Sequence, residues 1–347
     1  MKSEPINSSN SDVLYSEIDN IAILTLNRPE KLNAYNVNIF TGLKEGIKKI
    51  ESNENINAII ITGAGRGFCA GADMEGLKKT TKTNNKITPE ASIDEKLPNE
   101  IIGPKIAEHF QTRFGFLATC RKPIIAAING PCAGIGLVMT LFCDLRFAAE
   151  GAKFTTSFSR RGLIAEHGIS WILPKLIGHA HAMDILFTGR VFLSEEAYKI
   201  GLINNCFPKD DFMKSTLEYV KDLANMSSPR SVAVMKSQIY KAFFQNLNDA
   251  ASIGDLEMEK SFLSEDFKEG VNHFMESTLE YVKDLANMSS PRSIAVMKSQ
   301  IYKAFFQNLN DAASIGDLEM EKSFLSEDFK EGVNHFMEKR APKFTGK

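Results

Sequence analysis

The sequence predicts an α/β fold, because short apolar strands alternate with an amphipathic helix along its N-terminal part. Segments Ile21–Leu26, 56–62 and Ile124–Ile128 are rich in β-branched residues and have the length of buried strands. Between the first two, residues 36–51 repeat apolar side chains every three or four positions, which predicts a helix. Alternation of strands and helices is typical of an α/β core.

Three more apolar segments extend the strand pattern towards the C-terminus. Segments 145–149, 153–156 and 201–207 each predict a strand, and the periodicity beyond them is helical. The polar stretch 78–103 has no usable period and contains two prolines. We therefore expect a long surface loop there.

These boundaries divide the chain into four parts. Residues 1–20 are acidic and rich in Asn and Ser, so we expect a flexible N-terminal tail. The α/β core covers 21–210. Two helical segments follow, 211–276 and 277–347, and their apolar stripes require a partner surface.

The two helical segments are near-identical copies. Residues 215–276 recur as 277–338 with one difference, Val232 against Ile294. The repeats of a solenoid diverge except at structural positions, so near-identity indicates a recent duplication or a sequence-assembly error, not a repeat fold. We expect one copy to pack natively against the core and the other to be surplus.

Composition excludes several classes of protein. With 43% hydrophobic residues and a formal charge of -2, the chain has the composition of a globular protein without strong attraction to polyanions. It lacks an apolar run of the roughly 18 residues that span a bilayer and a recognisable leader, so we expect a cytoplasmic protein without membrane insertion. The five cysteines form no C-x-x-C pair, which favours reduced, buried thiols.

Two glycine-rich turns follow predicted strands. The first is GAGRGFCAGADM at 63–74, and the second contains Gly134 and Gly136 within KPIIAAINGPCAGIGLVMT. Small residues let a ligand approach backbone N–H groups, although one such turn alone is often only structural. A dinucleotide-binding fingerprint would need a third glycine where Met139 stands, which argues against a Rossmann fold.

Together with LNRPEKLNA and CDLRFAA, these two turns resemble the crotonase superfamily, the enoyl-CoA hydratase/isomerase family, from about residue 21 to the C-terminus. The resemblance implies a crotonase-like spiral of ββα units with a C-terminal helical trimerisation segment, here tandemly duplicated. It also implies an acyl-CoA substrate, a homotrimer or dimer of trimers, and no separate cofactor, since coenzyme A is part of the substrate.

The same resemblance implies an oxyanion hole for the thioester oxygen, formed by the backbone N–H groups of Ala70 and Ile135. Ile135 replaces a glycine that is usual in hydratases, which narrows the pocket. The CoA-binding residues that the resemblance implies are Arg28, Lys31, Ala72, Met74, Phe336 and Lys339. Of these, Arg28 and Lys31 could equally be solvated charges at a strand end. The first copy carries Ser277 where the second carries Lys339.

One carboxylate is expected to perform the acid–base chemistry. The family's hydratases use two glutamates, whose positions hold Val138 and Phe158 here. Glu166 instead matches the single catalytic carboxylate of the family's isomerases. We therefore expect an enoyl-CoA isomerase, which shifts a 3-enoyl to a 2-enoyl thioester with Glu166 as base and acid. Hydration of a 2-enoyl-CoA is the alternative, because Glu166 alone could orient water.

Other reactive side chains favour structural roles. His167 is expected to be structural or to orient Glu166, and Cys69 to be a small buried filler, because no base is near it in sequence. His179 and His181 lie two positions apart on a predicted helix, on different faces, so we expect no metal site.

A binding function without catalysis is a more distant alternative. A crotonase relative that binds RNA carries lysines along an early helix, and Lys44, Lys48 and Lys49 occupy that helix here. The interspersed Glu45 and Glu51 favour an ordinary solvated helix face, so we expect no nucleic-acid partner.

Overall fold

A computed structural model of the chain describes residues 3–7, 10–73, 108–277, 288–304 and 309–347. The chain divides into two compact units, Met1–Lys260 and Ser261–Lys347. The loop predicted at 78–103 lies outside the described residues, and so does Met74.

The described strands all belong to the first unit. They are β1 (Glu4–Asn7), β2 (Asn10–Ile18), β3 (Ile21–Leu26), β4 (Ala58–Gly63), β5 (Ile124–Ile128), β6 (Cys132–Ala133), β7 (Leu145–Ala149), β8 (Lys153–Thr155), β9 (Phe192–Leu193) and β10 (Asn205–Phe207). They form a seven-stranded sheet, in the order β1-β2-β3-β4-β5-β7-β10, and a small sheet, β6-β8-β9. β1, β2 and β3 pair antiparallel, whereas β3, β4, β5, β7 and β10 pair parallel. The predicted α/β class is confirmed.

The helices connect the strands and then continue beyond the sheet. They are α1 (Val37–Glu51), α2 (Gly115–Thr119), α3 (Ile135–Leu141), α4 (Ile169–Thr188), α5 (Ser194–Lys199), α6 (Phe212–Met226), α7 (Pro229–Ala242), α8 (Leu247–Phe262), α9 (Glu265–Ser277), α10 (Pro291–Ala304), α11 (Leu309–Phe324) and α12 (Glu327–Glu338). Short 3-10 turns lie at Pro29–Lys31, Glu108–Phe110, Ser159–Arg161 and Lys209–Asp211.

The seven-stranded sheet is covered on both faces. β4 and β5 are buried along their whole length, which explains why their sequences are continuous apolar runs without alternation. On one face, Ile39 and Leu43 of α1 join the main core. On the other, Phe212 and Val220 of α6 pack against the sheet.

The prediction of a flexible tail at 1–20 was wrong for residues 10–18. These residues form β2, which pairs with β3 from Val13 opposite Leu26 to Ile18 opposite Ile21. Val13 is fully buried, and the Asn10 side-chain amide donates to the Asn38 carbonyl at 2.7 Å. The acidic, Asn-rich composition concealed a strand that buries only every third residue.

Most predicted elements have the expected boundaries. The strands at Ile21–Leu26, Ile124–Ile128 and Leu145–Ala149 are confirmed as predicted. The strand predicted at 201–207 begins only at Asn205. Gly201 has a φ of 79° and follows the end of α5, where the Leu202 N–H still donates to the Ala197 carbonyl, so this part of the segment is a helix-terminating turn.

The first copy of the duplicated sequence contributes α6 and α7 to the first unit. Lys236 on α7 is 7% exposed, and its Nζ donates to Asp144 Oδ2 at 2.7 Å. The same ammonium group donates to the Leu117 and Lys122 carbonyls at 3.3 Å and 3.2 Å. α7 is therefore locked to the core by a buried ion pair.

The second copy lies in the second unit, with the same helix lengths but a different environment. Its lysine Lys298, the counterpart of Lys236, is exposed. Tyr302 is 61% exposed, whereas its counterpart Tyr240 is 9% exposed. Within the second unit, Asp328 of α12 accepts hydrogen bonds from the Ser290 hydroxyl at 2.6 Å and from the Thr345 N–H at 2.7 Å. These bonds tie the C-terminal tail and the start of α10 to α12.

Candidate functional site

The two glycine-rich turns lie side by side, as the sequence analysis expected. The N–H groups of Phe68 and Cys69 donate to the Pro131 carbonyl at 3.2 Å and 3.1 Å, and the Ala133 N–H donates back to the Cys69 carbonyl at 2.9 Å. A Cβ atom on Gly136 would lie 2.7 Å from Cys69, so only glycine lets α3 approach the first turn this closely.

Ile135 provides an available backbone donor at the start of α3. Gly134, with a φ of 50°, turns the chain into this helix, and its own N–H donates to the Thr155 carbonyl at 2.9 Å. The Ile135 N–H has no acceptor among the described residues. It is thus free to bind an oxygen of a ligand, as predicted for one half of an oxyanion hole.

The backbone N–H of Ala70, predicted as the second donor of the oxyanion hole, already has an acceptor in this structure. It donates to the Leu32 carbonyl at 3.0 Å. Leu32 and Asn33 both have left-handed backbone, with φ of 51° and 56°. The buried Asn33 amide donates to the Ala64 and Gly67 carbonyls at 3.0 Å and 2.8 Å and thereby fixes this segment. The Leu32 carbonyl is consequently held against the first glycine turn.

Arg28, predicted as a CoA-binding residue, has its guanidinium group turned to internal partners. Its guanidinium binds Asp73 Oδ2 at 2.7 Å and donates to the Ala34 carbonyl at 2.6 Å, with Asp12 at 3.6 Å. The side chain is 11% exposed, so the charge is committed to an internal network. Lys31 lies on the rim of this network, 3.7 Å from Asp73 and 37% exposed.

Ala72 is exposed on the first turn, and its predicted contact with CoA stays a prediction. Phe336 is 77% exposed on α12, and Lys339 ends that helix with a φ of 52°. Both residues belong to the second unit, and their predicted CoA contacts stay predictions.

The two positions that hold glutamates in hydratases are apolar and buried here. Val138 is 0% exposed and Phe158 is 4% exposed. The Phe158 ring lies 4.0 Å from the point where a Cβ on Gly134 would stand, and Gly71 Cα lies 3.8 Å from the same point. Phe158 therefore forms an apolar wall beside both glycine turns.

Glu166 and His167 lie together in the turn before α4. His167 has a φ of 55° and Gly168 a φ of 85°, and this backbone brings His167 Nε2 to 3.7 Å from Glu166 Oε2. Burial raises the pKa of the Glu166 carboxyl, an effect that the Arg113 guanidinium opposes. Burial, with a further contribution from Arg113, lowers the pKa of His167 to about 4. His167 is therefore neutral at physiological pH, beside a carboxylate that is 37% exposed.

An aromatic wall connects this turn to the first glycine turn. The Phe114 ring contacts Tyr35 at 5.6 Å, Phe142 at 6.2 Å and His167 at 6.3 Å between centroids. Tyr35 is joined to the first turn by hydrogen bonds from its N–H to the Gly71 carbonyl at 2.8 Å and from the Asp73 N–H to its carbonyl at 3.0 Å. Sequence reasoning missed Tyr35, Arg113 and Phe114, because only folding brings them together.

Cys69 is fully buried, as predicted for a small filler residue. Burial raises the pKa of its thiol to about 11, which disfavours the nucleophilic thiolate. Within the described residues, no group of three or more His, Cys, Asp or Glu side chains is arranged to hold a metal ion. In the same part of the chain, no helix has the length and apolar character to cross a membrane.

Comparison with known proteins agrees with this geometry. The Enoyl-CoA hydratase/isomerase family profile matches residues 16–281. A 1,2-epoxyphenylacetyl-CoA isomerase of Escherichia coli is 31% identical over 74% of this chain and 92% of its own length. An enoyl-CoA hydratase of Alternaria alternata is 29% identical over 80% of this chain and 88% of its own length.

A solved structure of an enoyl-CoA hydratase from Mycobacterium marinum is 40% identical, with a TM-score of 0.53, and covers 68% of this chain and all of its own. The extent of these matches and the paired glycine turns place the chain in the enoyl-CoA hydratase/isomerase family, within the crotonase superfamily. The names of these relatives include both isomerase and hydratase.

Proposed function

We propose that the protein is an enoyl-CoA isomerase that converts 3-enoyl-CoA to 2-enoyl-CoA. The observation that supports this proposal is that the site has one carboxylate, while the two glutamate positions of the hydratases are apolar. Glu166 is a partly buried carboxylate with a raised pKa, whereas the two glutamate positions of the hydratases are filled by the buried side chains of Val138 and Phe158. A single base suffices for a shift of a double bond, which moves a proton and adds no water.

In the proposed reaction, the Glu166 carboxylate removes a proton from C2 of the acyl chain. The electrons of that C–H bond form a dienolate, whose negative charge lies on the thioester oxygen. The Ile135 N–H donates to this oxygen, a contribution of about 3 kcal/mol for one well-placed donor. The protonated Glu166 then returns the proton at C4, which leaves the double bond between C2 and C3.

Ala70 would take part in this oxyanion hole only if its N–H is released from, or shared with, the Leu32 carbonyl when the thioester binds. The bond between Ala70 and Leu32 is 3.0 Å long, an ordinary length. Substrate binding therefore competes with an intact hydrogen bond at Ala70 but not at Ile135. We accordingly assign the larger share of the stabilisation to Ile135.

The isomerase proposal is tested by supplying 3-enoyl-CoA and 2-enoyl-CoA to the wild type and to Glu166→Gln. We expect wild type to interconvert the double-bond positions and Glu166→Gln to lose at least about 100-fold in rate, the usual contribution of a general base. Glu218→Gln is the matched control, because Glu218 is an exposed carboxylate on α6. Isomerisation that survives in Glu166→Gln would refute the assignment.

Hydration of 2-enoyl-CoA is the second candidate, favoured by one observation. The neutral His167 imidazole lies 3.7 Å from the Glu166 carboxylate, so both groups could hydrogen-bond to one water molecule that lies beside them. A 3-hydroxyacyl-CoA product from 2-enoyl-CoA, lost in both Glu166→Gln and His167→Ala, would favour hydration. Isomerisation that persists in His167→Ala favours the single-carboxylate reaction.

We further propose that the enzyme acts in the cytoplasm as a homotrimer or dimer of trimers. This assembly is what the resemblance of the sequence to the family implies. Sedimentation of the purified chain tests it, and a stable monomer would contradict it.

A further inference from the structure

Arg113 is a charged side chain in the candidate site that the proposed isomerisation does not use. It precedes Phe114 of the aromatic wall and is partly exposed. Its guanidinium lies 5.6 Å from the Phe40 ring centroid. Within the described residues it makes no salt bridge, although it lies close enough to Glu166, His167 and Tyr35 to lower the pKa of each. A guanidinium that is not held in a salt bridge is suited to bind an anionic group of a ligand in an enzyme site.

Tyr35 supplies an independent sign of a missing ligand atom. Its side chain is 6% exposed, and its hydroxyl is buried without a hydrogen-bond partner among the described residues. Arg113 lies close enough to this hydroxyl to lower its pKa, but a guanidinium can only donate, so the phenolic O–H has no acceptor among the described residues. Buried hydroxyl groups are nearly always paired, so an unpaired one beside a candidate site indicates that a bound molecule provides the acceptor.

The Arg113 guanidinium and the Tyr35 hydroxyl both require a hydrogen-bond acceptor. A guanidinium and a phenolic O–H are both donors at neutral pH, and a carboxylate accepts from both at once. We propose that Arg113 and Tyr35 form a subsite for a carboxylate on the acyl chain, so that the preferred substrate is the CoA monothioester of a dicarboxylic acid. This inference rests on the proposed function in acyl-CoA chemistry, and it identifies the substrate class of the same site.

A phosphate of coenzyme A is the other possible source of negative charge. Phosphates are strongly hydrated and are commonly bound by exposed cations at a surface. The Tyr35 hydroxyl is buried, and Tyr35 and His167 pack against the same ring, that of Phe114, with His167 beside Glu166. The subsite therefore adjoins the acid–base group, where the acyl chain and not the nucleotide is expected to lie.

Binding of saturated thioesters tests this inference without any reaction. Calorimetry would compare glutaryl-CoA with valeryl-CoA, adipyl-CoA with hexanoyl-CoA, and coenzyme A alone. Wild type should bind at least one carboxylated thioester about 10- to 100-fold more tightly than its uncharged counterpart, the range expected for charge-assisted hydrogen bonds. Arg113→Gln should abolish this preference and leave the uncharged thioesters within about threefold.

Two further variants test the contribution of the Tyr35 hydroxyl and provide a control for the loss of an arginine charge. Tyr35→Phe keeps the ring that packs on Phe114 and should lose about three- to tenfold for the carboxylated thioesters only. Arg161→Gln removes the same charge from an exposed position and should change nothing. Thermal unfolding of each variant shows whether it is folded.

The possible outcomes separate the two proposals. Equal or weaker binding of both carboxylated thioesters by wild type overturns the subsite. An equal loss for coenzyme A alone in Arg113→Gln also overturns it, because the partner would then be a phosphate. If neither thioesters nor coenzyme A bind, the proposed function itself fails and the subsite fails with it.

Discussion

Replacement of Lys236 by alanine should strongly destabilise the first unit, whereas the same change at Lys298 should not. The two lysines occupy equivalent positions in the duplicated sequence, within the identical string VMKSQIYKA. Lys236 is 7% exposed and paired with Asp144, while Lys298 is exposed. The chain therefore contains its own control, with the same local sequence and a different environment.

The magnitude follows from the groups that lose a partner. Without Lys236, Asp144 keeps a hydrogen bond from the Ile124 N–H at 2.7 Å but becomes a buried carboxylate without a counter-ion. The Leu117 and Lys122 carbonyls each lose a donor. Removal of one member of a buried ion pair typically costs about 3 to 5 kcal/mol. At roughly 2 to 4 °C per kcal/mol, the melting temperature should fall by roughly 6 to 20 °C.

The loss of stability should also depend on pH. Burial raises the pKa of Asp144, and Lys236 opposes that rise, so the pKa should move further up in Lys236→Ala. A carboxyl with a raised pKa binds its proton more tightly in the folded state, so stability falls as pH rises from the unfolded pKa through the folded one. Lys236→Ala should thus be closer to wild type at about pH 5 than at about pH 7.5.

Thermal unfolding of wild type, Lys236→Ala and Lys298→Ala at both pH values measures these differences. Lys298→Ala should stay within about 0.5 kcal/mol of wild type, as expected of an exposed residue. A larger loss in Lys298→Ala would show that the second copy is the one that packs on the core, and equal losses would contradict the different environments of the two lysines.

Three further outcomes are expected. Asn33→Ala should lower the free energy of unfolding in urea by about 2 to 4 kcal/mol, because buried carbonyls lose their donor; a loss below about 0.5 kcal/mol would contradict this role. The kcat/KM for isomerisation should fall as pH drops through the raised pKa of Glu166, because the base must be ionised. Arg113→Gln should move this acidic limb of the pH profile to higher pH, because Arg113 lowers the pKa of Glu166. An unchanged acidic limb would exclude electrostatic coupling between Arg113 and Glu166. Deletion of 277–338 should leave activity and the oligomeric state in sedimentation unchanged, since the first copy already packs on the core; loss of solubility or activity would contradict this.

The central sheet could be predicted from sequence because its strands are buried on both faces. Ile124–Ile128 is an apolar run, and Leu145–Ala149 is apolar apart from Arg146. Polar or turn residues flank both segments, and the structure has the same boundaries. The strand at Asn10–Ile18 was missed because two of its three buried positions, Asn10 and Ser16, carry polar side chains. Local composition identifies a strand only when burial constrains most of its residues.

The candidate site was only partly predictable for a different reason. The glycines could be identified from the sequence because the local backbone geometry requires them, and they mark Ile135 as the first residue of α3. The hydrogen bond from Ala70 to Leu32 depends on two left-handed residues held by a distant carbonyl network, which no local pattern reveals. The approach of Arg113 to Tyr35 likewise depends on tertiary packing between segments far apart in the chain.

The rate of double-bond migration in 3-enoyl-CoA, measured for wild type and Glu166→Gln, tests the central claim most directly. Glu166 is the carboxylate with a raised pKa beside the aromatic wall, and the other two expected positions are apolar. We expect wild type to form 2-enoyl-CoA and Glu166→Gln to lose at least about 100-fold in kcat, with substrate binding retained. Equal rates in the two proteins, or a wild type that only hydrates 2-enoyl-CoA, would contradict an isomerase that acts through Glu166.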